Sequence, residues 1–164
     1  MFGDNPAEST DYGRIVNERH FDRLTALLDD GRTVVGGAYD RDARYLAPTV
    51  LADVPETAPV MRAEIFGPIL PVLTVPDLDA AIAFINERDK PLALYAFTES
   101  ADTKRRLAEE TSSGALVFGL PVSHLAMPEL PFGGVGESGM GRYHGEYSID
   151  TFSHLKAVVD KPLG

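Results

Sequence analysis

The stretch that decides the fold covers residues 69–118, which begin with ILPVLTV (69–75) and end with ALVF (115–118). The first run is continuously apolar, which is typical of a buried strand. The residues after it place apolar side chains on one face of a helix whose first turn is acidic. These helical positions are Leu78, Ala81, Ile82 and Ile85.

The same alternation continues to residue 118. A second apolar run covers residues 91–97, and Glu99-Ser100 begins a polar helix that ends by Glu110. The strand at 115–118 follows a Ser-Ser-Gly turn. Strands and helices that alternate at this spacing predict an α/β fold built from βαβ layers, with at least partly parallel strand pairing.

The segment before residue 69 predicts a helix and short strands. A helix that begins at Asn17 or earlier and stops at Gly31 carries one apolar stripe, and strands are expected at 33–36 and 45–51. Pro48 interrupts the second strand, which indicates an edge or a bulge. The stripe consists of Phe21, Leu24, Leu27 and Leu28.

Composition excludes several classes of function. The chain has 164 residues, 44% of them apolar, which is enough to bury a core. Its net charge of −10 opposes binding to nucleic acid or to an anionic membrane surface. It contains no cysteine, which excludes disulfides and thiolate metal sites, and its four histidines lack metal-ligand spacing. No apolar run approaches the roughly 20 residues of a membrane span, and residues 1–6 do not resemble a signal peptide. We therefore expect a soluble, cytoplasmic protein.

The pentapeptide EIFGP (64–68) is the first candidate site. A solvated or capping role for Glu64 is one interpretation. In the other, its carboxylate accepts hydrogen bonds from a diol such as ribose, and Phe66 is fixed by the turn against a flat ring. Gly67 permits a close approach and Pro68 stiffens the exit of the turn.

The second candidate site is the glycine-rich loop PFGGVGESGMG (131–141). Residues 134–139 match the G-x-G-x-x-G spacing, but a dinucleotide fingerprint also requires a strand before the loop and a helix opening from its last glycine. Neither is indicated here, so we do not interpret the loop as a phosphate cradle. Ser138 is not a nucleophile elbow either, because residue 140 is Met.

Together, the two motifs and their separation resemble the C-terminal part of the aldehyde dehydrogenase superfamily. The resemblance implies that Glu64 holds the nicotinamide ribose hydroxyls of NAD or NADP and that Phe66 packs beside the nicotinamide. It also implies a partial aldehyde dehydrogenase catalytic domain at residues 1–145, with the glycine-rich loop beside the catalytic centre. Residues 146–164 would form a C-terminal oligomerisation tail, with its strand at 148–159.

Further segments resemble class 3, the fatty and aromatic aldehyde dehydrogenases. They are NERHF (17–21), PLALY (91–95), MGRYHG (140–145) and DTFSH (150–154). By the same matching, the residues near the substrate entrance are Val122, Leu125, Phe132 and His144. Several class members have an asparagine–aspartate pair where this chain has FGL (118–120). His20 and His154 are expected to be structural.

The family forms a thiohemiacetal on a cysteine thiolate, and a separate glutamate activates the hydrolytic water. The resemblance places both upstream of this segment, so no catalytic residue is expected in this chain. One hypothesis is that the chain supplies cofactor and substrate contacts to an NAD(P)-dependent enzyme that oxidises aldehydes to carboxylic acids. Its active form would need an N-terminal half, fused or separate. The partners implied by the resemblance are the aldehyde substrate, that N-terminal half and other copies of the chain in a homo-oligomer. The alternative is a non-catalytic remnant or partner-binding fragment.

Overall fold

A computed structural model describes residues 2–3 and 5–164 of the chain. The chain divides into two compact units, Met1–Thr74 and Val75–Gly164, which are described separately. Among the described residues, no helix has the length and apolar character needed to cross a bilayer. The expected division into residues 1–145 and 146–164 stays a prediction.

The described residues of the first unit form one α-helix and five short strands. They are α1 (Glu18–Ala26), β1 (Arg32–Val35), β2 (Tyr39–Asp40), β3 (Tyr45–Leu46), β4 (Thr49–Ala52) and β5 (Ile69–Pro71). Strands β1, β4 and β5 form a sheet in that order, with β1–β4 antiparallel and β4–β5 parallel. Strands β2 and β3 pair separately as an antiparallel ribbon.

The sequence predictions for this unit are confirmed in most respects. The Asn17 side chain accepts a hydrogen bond from the His20 N–H at 2.9 Å, which caps α1. Pro48 divides the predicted 45–51 strand into β3 and β4. The strand expected at 69–75 is shorter, because only 69–71 lies opposite β4, which ends at Ala52.

The core of the first unit lies between α1 and the three-stranded sheet. Phe21 and Leu24 point inward from α1 and are almost fully buried, as the apolar stripe predicted. The main cluster consists of Leu24, Leu46, Leu51, Val54, Ala58, Val60 and Ile69. Burial of these side chains fixes α1 against the segment that leads into β5.

The second unit contains α2 (Leu78–Asn86), β6 (Ala93–Ala96), α3 (Ala101–Glu110), β7 (Ala115–Phe118) and α4 (Gly145–Phe152). Side chains cap the first two of these helices: Asp77 accepts from the Ala80 N–H at 2.8 Å, and Ser100 from the Thr103 N–H at 3.2 Å. β6 and β7 pair in parallel around α3. The predicted βαβ pattern with partly parallel pairing is confirmed.

The strand predicted at 148–159 is wrong over its first half. Residues 148–152 belong to helix α4, and residues 153–164 form no strand with any described part of the chain. The reason is local bonding: the Ser148 hydroxyl accepts from the His144 N–H at 2.9 Å, and the Thr151 hydroxyl donates to the Arg142 carbonyl. A strand also needs a partner, and this exposed tail meets none within the described chain.

Candidate functional site

The turn at residues 64–68 presents two side chains to solvent. Glu64 is exposed and makes no hydrogen bond or ion pair with any described residue. The Phe66 ring is 76% exposed, and its backbone lies in the left-handed region at φ +49°. A free carboxylate therefore stands two residues from a free aromatic face.

Gly67 lies in close contact with the Leu24 side chain, as expected for a glycine that permits a close approach. A Cβ atom added there would lie 2.5 Å from Cδ2 of Leu24, which is far inside contact distance. Two carbonyls of the turn also accept backbone hydrogen bonds. The Ile69 N–H donates to Gly67 at 2.9 Å, and the Thr49 N–H donates to Pro68 at 2.8 Å. The exit of the turn is thus attached to the core and to the sheet.

Phe66 also lines an open cleft of about 480 Å³ in the first unit, together with Arg14, Ile15, Val16 and His20. Sequence reasoning assigned His20 a structural role. In the structure, the His20 N–H donates to the Asn17 side chain that caps α1, and His20 also lines this cleft. No signal in the sequence connected residues 14–20 with residue 66.

The second unit brings two of the predicted substrate residues together. The rings of Phe132 and His144 stack with centroids 5.3 Å apart and planes 20° apart. Tyr143 meets both rings edge-on, and its backbone exchanges two 2.9 Å hydrogen bonds with that of Phe132. The backbone bridge therefore sets the distance at which the two predicted residues stack.

Leu125 lies in a neighbouring 3-10 turn, Ser123–Ala126, and Val122 is the residue directly before this turn. Both side chains are exposed, and the Leu125 N–H donates to the Val122 carbonyl at 3.1 Å. Val122 begins the turn with φ +65°, a left-handed conformation that is unfavourable for a β-branched residue. All four predicted substrate residues therefore lie in two local clusters of the second unit.

His124 joins these clusters, and sequence reasoning gave it no role. It is 6% exposed, its ring lies 6.0 Å from those of both Tyr95 and Phe132, and neither of its nitrogens has a hydrogen-bond partner in the described chain. Its position between Val122 and Leu125 in the sequence was the available signal. A buried imidazole without partners is energetically costly and fixes this part of the fold mainly through ring packing.

The glycine-rich loop folds back on itself. A Cβ atom at Gly134 would lie 2.2 Å from the carbonyl oxygen of Ser138, and one at Gly133 would lie 2.2 Å from that of Gly141. The Ser138 hydroxyl hydrogen-bonds to the backbone of Val135. No α-helix opens from Gly139, since α4 begins at Gly145. The described loop therefore lacks the helix with which a dinucleotide fingerprint continues.

The clearest carboxyl pKa shifts arise in ion pairs outside these clusters. A hydrogen bond from Arg41 lowers the pKa of Asp22, and one from Arg106 lowers that of Glu110. The first pair connects α1 to the turn after β2, and the second lies within α3, so we interpret both as structural. Within the described chain, no group of three or more His, Asp or Glu side chains is arranged to hold a metal ion.

Comparison with known proteins identifies the class of protein to which this mixed α/β chain belongs. The profile of the aldehyde dehydrogenase family matches residues 1–158. The chain belongs to the aldehyde dehydrogenase family.

Individual relatives confirm the class 3 prediction. The chain is 55% identical over 164 residues to aldehyde dehydrogenase family 3 member B1 of Rattus norvegicus, covering 35% of that protein. It is 48% identical over 163 residues to the dimeric NADP-preferring aldehyde dehydrogenase of the same organism, covering 36% of it. Among solved structures, the substrate-bound state of Staphylococcus aureus AldH matches 98% of this chain with a TM-score of 0.88 and 49% identity. This chain covers 37% of that structure, so it spans about a third of the length of its relatives.

Proposed function

We propose that this chain supplies cofactor and substrate contacts to an NAD(P)-dependent aldehyde dehydrogenase that oxidises aldehydes to carboxylic acids. The observation that carries the proposal is the turn at 64–68. In a chain of this family, it presents an unpaired carboxylate and an exposed aromatic ring two residues apart.

These residues fit the cofactor. The two oxygens of the Glu64 carboxylate are acceptors for the two hydroxyls of a ribose. The Phe66 face offers an apolar surface to a flat heterocycle. When bound, NAD(P)+ supplies the hydride acceptor. One of the relatives is named as NADP-preferring, and the proposal covers both NAD and NADP.

The second unit supplies the substrate contacts in this proposal. Val122, Leu125, Phe132 and His144 line the entrance for the aldehyde. The exposed apolar side chains of the first pair receive its carbon chain, and the Phe132–His144 stack forms a wall of fixed geometry. None of these groups is a thiol, and the chain has no cysteine, so the covalent step needs a thiolate from another segment or polypeptide.

The proposal also includes an oligomer in which residues 146–164 contact another subunit, with exposed Leu155, Val158 and Val159 as the apolar surface. A cytoplasmic location is part of the proposal and rests on the sequence alone. The absence of cysteine favours a second candidate function, a non-catalytic remnant or a fragment that binds a partner.

The test joins this chain to the part of Staphylococcus aureus AldH that lies outside the matched portion. We expect the isolated chain to form no NAD(P)H from aldehyde and NAD(P)+, and the joined enzyme to form it steadily. A joined protein that is folded by circular dichroism but inactive would favour the non-catalytic alternative.

A further inference from the structure

Within the turn at 64–68, Phe66 holds a backbone conformation that its own side chain does not stabilise. Phe66 has φ +49°, which aromatic residues seldom adopt, and its ring is 76% exposed, so burial does not offset the strain. Such a conformation persists only where neighbouring contacts over-determine the backbone. Those contacts must act on the residues that flank Phe66.

Helix α1 contacts the turn on both sides of Phe66. Nη2 of Arg23 donates a hydrogen bond to the carbonyl oxygen of Ile65 at 2.5 Å. The next helix residue, Leu24, is fully buried and packs against Gly67. A charged donor makes a stronger hydrogen bond than a neutral one, so the Arg23 contact is suited to hold a strained peptide.

The bonded carbonyl is the one whose orientation matters most. This carbonyl belongs to the peptide plane between Ile65 and Phe66. Rotation of that plane about the N–Cα bond of Phe66 changes the angle φ of Phe66. After Phe66, the Gly67 and Pro68 carbonyls are already held by backbone donors. Before Phe66, the Ile65 side chain packs on the core, and Arg23 fixes the direction of its carbonyl.

We propose that Arg23 is a positioning residue that holds the 64–68 turn in the conformation presenting Glu64 and Phe66 to the dinucleotide. The inference rests on the proposed function, because it assigns Arg23 to the cofactor contacts proposed above. Arg23 acts through the Ile65 carbonyl. Its helix is fixed independently, by the Asn17 cap and by burial of Phe21 and Leu24.

Amide hydrogen exchange of the 164-residue chain tests the positioning directly, without cofactor. Arg23→Met keeps the apolar stem and removes the donor. The reporter is the Ile69 N–H, which donates to the Gly67 carbonyl. We expect its exchange to become about tenfold faster while the β1–β4 amides keep their wild-type rates. Arg23→Lys retains a donor and should restore part of the protection.

Arg62→Met is the matched control. Arg62 also donates to a backbone carbonyl of the first unit, that of Thr57 at 3.0 Å, and its loss should leave the Ile69 amide unchanged. Unchanged exchange at Ile69 in Arg23→Met would overturn the proposal. Uniformly faster exchange across the first unit would overturn it as well, because Arg23 would then stabilise the whole unit.

A second measurement uses the joined enzyme. Arg23→Met should raise KM for NAD(P)+ about tenfold with a smaller change in kcat, since remote loss of turn geometry weakens cofactor binding first. An unchanged KM would overturn the positioning role. If the wild-type joined enzyme neither binds nor reduces NAD(P)+, the proposed function fails, while the exchange experiment still decides whether Arg23 holds the turn.

Discussion

Phe132 and His144 stack with their ring centroids 5.3 Å apart and their planes 20° apart, although eleven residues of glycine-rich and polar sequence separate them. The antiparallel bridge between Phe132 and Tyr143 holds the two chain segments side by side. The geometry of the proposed substrate wall therefore depends on the fold of the loop between Phe132 and Tyr143.

The stack should be measurable as a coupling free energy. Aromatic pairs contribute about 0.5–1.5 kcal/mol beyond the area they bury, so the effects of Phe132→Leu and His144→Ala on unfolding should differ from additivity by about that amount. Urea denaturation of the wild type, both single variants and the double variant gives the value. Phe132→Leu combined with Phe152→Leu is the control, because Phe152 is 81% exposed and should add independently. Additive effects for the stacked pair would show that the contact has no energetic weight.

Replacing His124 should stabilise the fold. Its two ring nitrogens are buried without partners in the described chain, and each unsatisfied polar group costs about 1–3 kcal/mol. His124→Phe keeps a ring between Tyr95 and Phe132 and removes both nitrogens. We expect the free energy of unfolding to rise by about 1 kcal/mol, since crowding by the larger ring offsets part of the gain. His154→Phe, at an exposed position, should change it by less than about 0.5 kcal/mol. A less stable His124→Phe would mean that the nitrogens or the smaller ring are required.

The secondary structure of both units was largely readable from local signals. Asn17, Asp77 and Ser100 were each followed by a helix, because their side chains satisfy N–H groups that a first helical turn leaves free. Pro48 divided a strand as predicted, because it donates no ladder hydrogen bond. The error at 148–152 has a local cause too, since the bonds of Ser148 and Thr151 to the preceding loop cannot be read from periodicity.

The candidate site was only half readable. The resemblance predicted Phe132 and His144 as substrate residues, but their ring contact depends on how the loop folds, and loop geometry leaves no periodic trace in a sequence. His124 lies between Val122 and Leu125 in the sequence, but it was missed because that position alone does not show that its ring is buried. Arg23 was missed for a different reason: its partner is a backbone carbonyl 42 residues away. Every residue has a backbone carbonyl, so the residue types alone do not indicate which carbonyl an arginine will bind.

Gly67→Ala should destabilise the first unit. The added Cβ would lie 2.5 Å from the Leu24 side chain, which is fully buried and has little room to move. Overpacking of this kind costs about 1–3 kcal/mol, which thermal or urea unfolding resolves. Gly13→Ala is the control, because nothing lies within 4 Å of its added Cβ and the backbone is not left-handed. Equal stability of the two variants would contradict the close packing of Leu24 on the turn.

Acid should weaken the Asp22–Arg41 and Glu110–Arg106 pairs. Hydrogen bonds from the arginines lower the pKa of both carboxyls in the folded chain. Their stabilisation is therefore complete above the unfolded values of about 4 and is lost as pH falls through the lower folded values. Asp22→Asn should reduce Tm at neutral pH slightly and flatten its fall below about pH 4. Asp89→Asn, an exposed carboxylate outside both pairs, should follow the wild-type profile. A wild-type profile for Asp22→Asn would exclude the linkage.

Glu64→Gln tests the cofactor contact in the joined enzyme. The amide keeps the size of the side chain but replaces one acceptor oxygen by a donor group, so the two ribose hydroxyls can no longer each donate to an oxygen of their own. We expect kcat/KM for NAD(P)+ to fall about tenfold or more, because a hydrogen bond to a charged group contributes about 1.5–3 kcal/mol. Glu64 is exposed and unpaired within the described chain, so Tm should not change. Glu87→Gln, at another exposed position, should leave both quantities unaltered. Unchanged kinetics for Glu64→Gln would return this carboxylate to a solvated surface role, and the function assigned to the turn would then depend on Phe66 alone.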